Sequence, residues 1–152
     1  MSRGVSDIDM GWGKIKKEAH RLATMAVEIG VQSGETAPDG ADMADIAAVQ
    51  EFGSEKNNIP ARPFMRESFD KNVDDLDRFM QDAGNRIMQG QITVDKGLDL
   101  VGQKMTGIIQ KGISDGPWTP NAPGTVAQKG SSQPLIDTGR LRQSIRHVVK
   151  SK

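Results

Sequence analysis

The sequence predicts an α+β fold: three main helices packed on a small, mostly antiparallel sheet, with a long extended arm over residues 115–134. Three observations predict it. Apolar residues recur every three or four positions over several long stretches, the period of helices with one buried face. Two short segments, Val27–Gln32 and Ile145–Lys150, instead show alternation or β-branching, the marks of strands. Near the C-terminus, about twenty residues rich in Pro and Gly have no period at all, which in a compact chain suggests a functional segment. A length of 152 residues leads us to expect one domain, spanning residues 1–152.

Taken in order, the elements follow from spacing and punctuation. Trp12, Ile15, Ala19, Leu22 and Ala26 step by three and four along a first helix. The period then shortens to two, with Val27, Ile29 and Val31 alternating with Glu28, Gly30 and Gln32 in a half-buried strand. SGETAPDGAD reads as a loop. MADIAAVQEFG reads as a short Ala-rich helix that Gly53 ends as a C-cap. SEKNNIPARPFM is irregular, because Ile59 and Arg62 each precede a proline and are pushed toward extended conformations. Pro63 suits the first turn of the clearest helix, predicted from Pro63 to Gln89 with Phe69, Val73, Leu76, Met80, Ala83 and Ile87 on one face. Thr93 caps a further helix carrying Val94, Leu98, Val101, Met105 and Ile108. Gly97, Gly102, Gly107 and Gly112 each cost that helix up to about 1 kcal/mol relative to Ala, so it should depend on its neighbours for order. The arm follows. Beyond it GRLRQS forms a short helical turn, and the strand from Ile145 pairs with the one at Val27.

Composition excludes several classes of function. Twenty acidic and twenty basic residues give a formal net charge of zero, which argues against a dedicated DNA-binding domain. The chain has no cysteine, hence no disulfide framework, thiolate metal site or cysteine nucleophile. With only His20 and His147 as imidazoles, we expect no metal site, cofactor or catalytic residue. No apolar run reaches the roughly 20 residues of a membrane span. The opening MSRGVSDIDMGWGK lacks the apolar core of a signal peptide, so synthesis in the cytoplasm is expected. Charge is segregated along the chain. Asp70, Asp74, Asp75 and Asp77 make an acidic stretch, while Lys129, Arg140, Arg142 and Arg146 make the C-terminal quarter basic. Such separation suits head-to-tail contacts between subunits.

Asp137-Thr138-Gly139 spells the catalytic loop of an aspartic protease, which in so short a chain would need two copies of Asp137 sharing one proton. Those enzymes are almost wholly β and carry the loop near the start of the chain. They also need a small residue where this chain has Arg140. The preferred reading makes Asp137 and Thr138 structural caps, whose side-chain oxygens accept from the free N–H groups of the turn at Gly139. The homodimeric protease stays as the enzymatic alternative. A nucleic-acid-binding module is a further alternative, and its affinity would fall steeply with salt.

Three ordered stretches resemble one family. They are VEIGV followed by ADIAAVQEFG, then IPARPFMRESF, then PWTPNAPGTVAQKG with PLIDTGRLRQSI. Together they resemble the tail-completion, or neck, proteins of tailed bacteriophages, including the virion morphogenesis proteins of Mu-like phages and related minor tail components. The resemblance covers roughly residues 25 to 148 and departs from the family in the loop at residues 34–42. It implies a structural virion protein at the head–tail junction, made in the host cytoplasm and not an enzyme. That protein would form a homo-oligomeric ring, a hexamer or dodecamer, around the channel through which double-stranded DNA passes without sequence-specific binding. Its neighbours would be portal or head-closure proteins on one side and tail tube or terminator proteins on the other. A tail terminator or tail-tube-associated protein is the alternative within the structural class. The family has no known catalytic residues, so none are carried over. For the subunit interface we expect Trp118 as the arm's anchor, since burying an indole is worth on the order of 2 kcal/mol or more. Arg62 is expected exposed in its Pro-flanked turn and available to a neighbour. Leu135 and Ile136 should pin the arm's far end to the core.

Overall fold

Helix α5 (Val94–Asp115) is the element against which both strands and four of the other helices pack. The structure is a computed structural model and describes residues 11–32, 34–130, 132–135 and 139–152. Helix α1 (Trp12–Thr24) runs directly into strand β1 (Met25–Val31). Helix α2 (Met43–Phe52) follows a loop, and a 3₁₀ turn (Glu55–Asn57) leads to helices α3 (Phe64–Asp70) and α4 (Val73–Met88). After α5 come helix α6 (Pro123–Lys129), helix α7 (Arg140–Ser144) and strand β2 (Ile145–Ser151). The two strands are antiparallel, with Val31 opposite Ile145 and Val27 opposite Val149. Val27, Ile29, Val31, Ile145, His147 and Val149 therefore share one face of the sheet, the pleat placing alternate residues on opposite sides. Phe64, Leu76, Met105, Ile109, Ile113 and Ile145 form the heart of the core, joined by Met43 and Ala47 of α2.

The expected fold class is corrected. The described residues form seven α-helices and one open two-stranded sheet, not three main helices with a long arm. The helix predicted from Pro63 to Gln89 is two helices, broken at Lys71 and Asn72. Asn72 Nδ2 donates to the Ser68 carbonyl at 2.8 Å, and its backbone N–H turns to Phe69 O at 3.0 Å. The side chain thus takes the carbonyl that its own N–H would have used, a local competition with helix that apolar spacing does not register. The segment 115–134 is not an extended arm. Pro123 starts α6, Gly130 ends it in the left-handed conformation, and the residues before it fold back on the chain's own core.

Three of the four glycines of α5 are contact points. A Cβ on Gly97 would collide with Ile87 of α4, one on Gly102 with the His147 ring, and one on Gly112 with Ser68 of α3. Their spacing of five turns each onto a different side of the helix; α5 has close neighbours on three of those sides, while a Cβ on Gly107 would meet nothing within 4 Å. Buried Glu18 caps the start of α5 from a distance, its Oε2 accepting from Val94 N at 3.0 Å. That bond fixes α1 to an orphan donor at the positive end of the α5 dipole.

Two surface carboxylates, Asp75 exposed and Asp99 half-buried, also tie elements to α5. Asp99 accepts from His147 Nε2 at 2.9 Å and from Lys96 Nζ at 3.3 Å, joining α5 to β2. Asp75 pairs with Lys104 at 2.7 Å, joining α4 to α5, and Lys104 lies 5.0 Å from the Phe79 ring centroid. The His147 hydrogen bond, then that of Lys96, holds the Asp99 carboxyl below its ordinary value of 3.8. The Lys104 hydrogen bond and charge hold Asp75 down in the same way. A lowered folded pKa means that each bond stabilises the fold fully above the unfolded pKa and is lost as pH falls through the folded one. For Asp99→Asn we expect a stability deficit in urea titrations at about pH 5 that shrinks below about pH 4 as the wild-type carboxyl protonates. A deficit unchanged down to pH 2 would show that the carboxylate charge is not what holds β2.

Candidate functional site

The stretches singled out by sequence meet at one buried side chain, Arg62. The turn that carries it is built by prolines. Pro63 has φ −75° and ψ 63°, and Phe64 N donates to Arg62 O at 2.7 Å, an inverse γ-turn that sends the chain abruptly into α3. The backbone N–H of Arg62 donates to Gln50 O of α2 at 2.7 Å. Its guanidinium then reaches inward. Nη1 donates to Gln50 Oε1 at 2.7 Å, Nε to Thr119 O at 2.9 Å, and Nη2 to Asn121 Oδ1 at 3.0 Å and Pro120 O at 3.4 Å. One planar fork thus clamps α2 to the Pro-rich segment, a geometry that a single ammonium cannot reproduce. Arg62 is only 4% exposed, and burial lowers its pKa from the ordinary arginine value. All its hydrogen-bond partners among the described residues are neutral oxygens.

The expectation of an exposed Arg62 is therefore corrected: the rigid turn aims the side chain into its own subunit. Trp118 folds the same way. Its Nε1 donates to Gly112 O of α5 at 3.0 Å, and its indole lies over Gly116, leaving no room for a side chain there. The neighbouring Trp118 N donates to Gly116 O at 2.9 Å, a second tight turn across a proline. Leu135 packs against the core at positive φ, 62°. Ile136, Asp137 and Thr138 lie outside the described residues.

Beside Arg62 opens a cleft of about 420 Å³ with Met43, Ile46 and Leu141 on its floor and Asn121, Leu135 and Arg140 around it. Arg140 Nη1 donates to Thr36 O at 3.1 Å, holding the 34–42 loop to α7. Next to Gln50 in the chain, buried Glu51 caps α3, its carboxylate accepting from Met65 N at 2.9 Å and Arg66 N at 3.0 Å. Pro63 at the cap position has no side chain able to do so. Gly53 closes α2, its N–H donating to Val49 O at 2.8 Å. Gln50, Glu51 and Asn121 carry this joint, and sequence reading does not single them out. The available signal was the conjunction of Gln-Glu-Phe-Gly with an arginine between two prolines, both on stiff backbone with little freedom to miss each other. Among the described residues no cluster of three or more His, Cys, Asp or Glu could hold a metal ion. Comparison with family models, with curated proteins and with solved structures returned no match.

Proposed function

We propose that this chain is a structural virion protein of the phage head–tail junction, a homo-oligomeric ring subunit around the DNA channel. The observation that supports this reading is the Arg62 joint. The three stretches resembling neck proteins are far apart in sequence, yet residues from each meet around one guanidinium. A motif set that forms one packed unit is what a shared fold requires, and a chance likeness does not require it. The joint also revises how such a ring is held. Thr119, Pro120 and Asn121 are clamped within the subunit, so the ring rests on preformed surfaces and not on exchanged arms. Zero net charge suits a passage through which DNA slides, because many phosphate contacts would trap it.

The test is genetic. Deleting the coding segment from the phage genome that carries it should leave filled heads and finished tails unjoined in electron micrographs of lysates. The chain supplied in trans should restore joined particles. Joined, infectious particles without the chain would overturn the reading.

A further inference from the structure

The cleft beside Arg62 holds more positive charge than the fold uses. Arg62, Lys129 and Arg140 line it, and Asp39 is the one acid on its wall among the described residues. The Arg62 guanidinium is buried, and every oxygen it bonds among the described residues is neutral. A buried charge without a counter-charge costs heavily, so an unpaired one calls for a reason. Nη1 carries two N–H groups and makes one bond, to Gln50 Oε1 at 2.7 Å, which leaves a donor unused. Arg140 is exposed, and among the described residues its guanidinium bonds only Thr36 O, at 3.1 Å. Asp39 neutralises neither arginine: its Oδ1 accepts from Ala41 N at 3.1 Å. The volume, about 420 Å³, lies in the range of small-ligand sites. Met43, Ile46 and Leu141 make the floor apolar, which suits a hydrocarbon body and not a bare phosphate.

We propose that this cleft binds a carboxylate carried on an apolar body, its oxygens on Arg62 and Arg140 and its body on Met43, Ile46 and Leu141. A planar guanidinium matches a carboxylate in shape, and charge on both partners strengthens the bond. The anion supplies the counter-charge that Arg62 lacks. Because Arg62 also clamps α2 to the Pro-rich segment, an occupied cleft should tighten that joint, as any ligand of the folded state does. Two sources present this chemistry, a free organic acid and the last residue of another polypeptide. The inference stands apart from the junction reading, and either can fail without the other.

The experiment titrates the isotope-labelled full chain with N-acetyl-leucine, with N-acetyl-leucinamide, and with an acetylated short peptide ending in a leucine carboxylate. Both acids should shift the side-chain amide signals of Gln50 and Asn121 and the backbone signal of Leu141 to saturation in nuclear magnetic resonance spectra. The leucinamide should not. The acid that binds more tightly identifies the source, a free acid or a chain terminus. Arg140→Gln, at an exposed position, should weaken binding roughly tenfold, the worth of one charge-assisted bond. Ile46→Trp fills the floor, leaves the charges alone, and should abolish binding. Circular dichroism checks both variants, and should either not fold, the acid-against-amide comparison on wild type still decides. No saturable shift from either acid up to about 10 mM, an equal response to the amide, or undiminished binding by folded Arg140→Gln overturns the inference.

Discussion

Arg62→Ala is expected to lower the unfolding free energy by about 3 kcal/mol, because it removes a buried guanidinium and all its charge-assisted bonds to part-buried acceptors at once. Gln50 Oε1, Thr119 O and Asn121 Oδ1 all lose a charged donor, which water entering from the adjoining cleft replaces only in part. The loss should be local before it is global. The segment from Trp118 to Gly130 loses its link to α2 and keeps, among the described residues, Trp118 Nε1 to Gly112 O and Asn121 Nδ2 to Gln133 O. Limited proteolysis should therefore cut there first, while the α5 core survives longer. Arg62→Lys should recover little, since one ammonium cannot span acceptors on both sides of the joint. Urea titration and protease mapping check this directly. A variant within about 0.5 kcal/mol of wild type would mean that the joint is held by packing alone.

Gly53→Ala should cost about 3 kcal/mol or more, through two effects that add. Gly53 has φ 76° and ψ 177°, a region of backbone space that only glycine enters freely. A Cβ there would also stand 2.8 Å from Ala61 N and 2.9 Å from Ile59 O. Both are backbone atoms in a turn flanked by Pro60 and Pro63, so neither can swing aside as a side-chain tip would. The displaced turn is the one that aims Arg62, and the same protease sites should open. Gly124→Ala in α6 is the matched control. A Cβ there meets nothing within 4 Å, and its helical position favours alanine by up to about 1 kcal/mol. Equal melting temperatures for the two variants would remove the steric explanation.

Much of the fold is legible in residue spacing. Trp12 to Leu22 and Val94 to Ile108 lie on helices, as do Phe69 and Val73 to Ile87 on either side of the break, and Val27–Val31 and Ile145–Val149 lie in strands that pair with each other. Spacing is a local signal, and these are elements whose buried face repeats with a regular period. The breaks were less legible. Asn72 ends α3 through a side-chain hydrogen bond, in a stretch whose apolar period continues unbroken across the gap. The α6 turn hides inside a Pro/Gly-rich segment whose composition suggests no structure.

By itself, the sequence determined the helical and strand periods, the separation of acidic from basic halves, and the positions where proline and glycine limit the backbone. Each is a property of a residue and its near neighbours. Tertiary structure alone decided where Arg62 points, what the four glycines of α5 admit, and whether the Pro-rich segment reaches outward or folds home. Those outcomes depend on partners 57 to 59 residues away, as Thr119, Pro120 and Asn121 are from Arg62. A guanidinium that finds water and one that finds buried carbonyls look alike in a sequence. Only the packing of α2, the turn and α5 brings those carbonyls within reach.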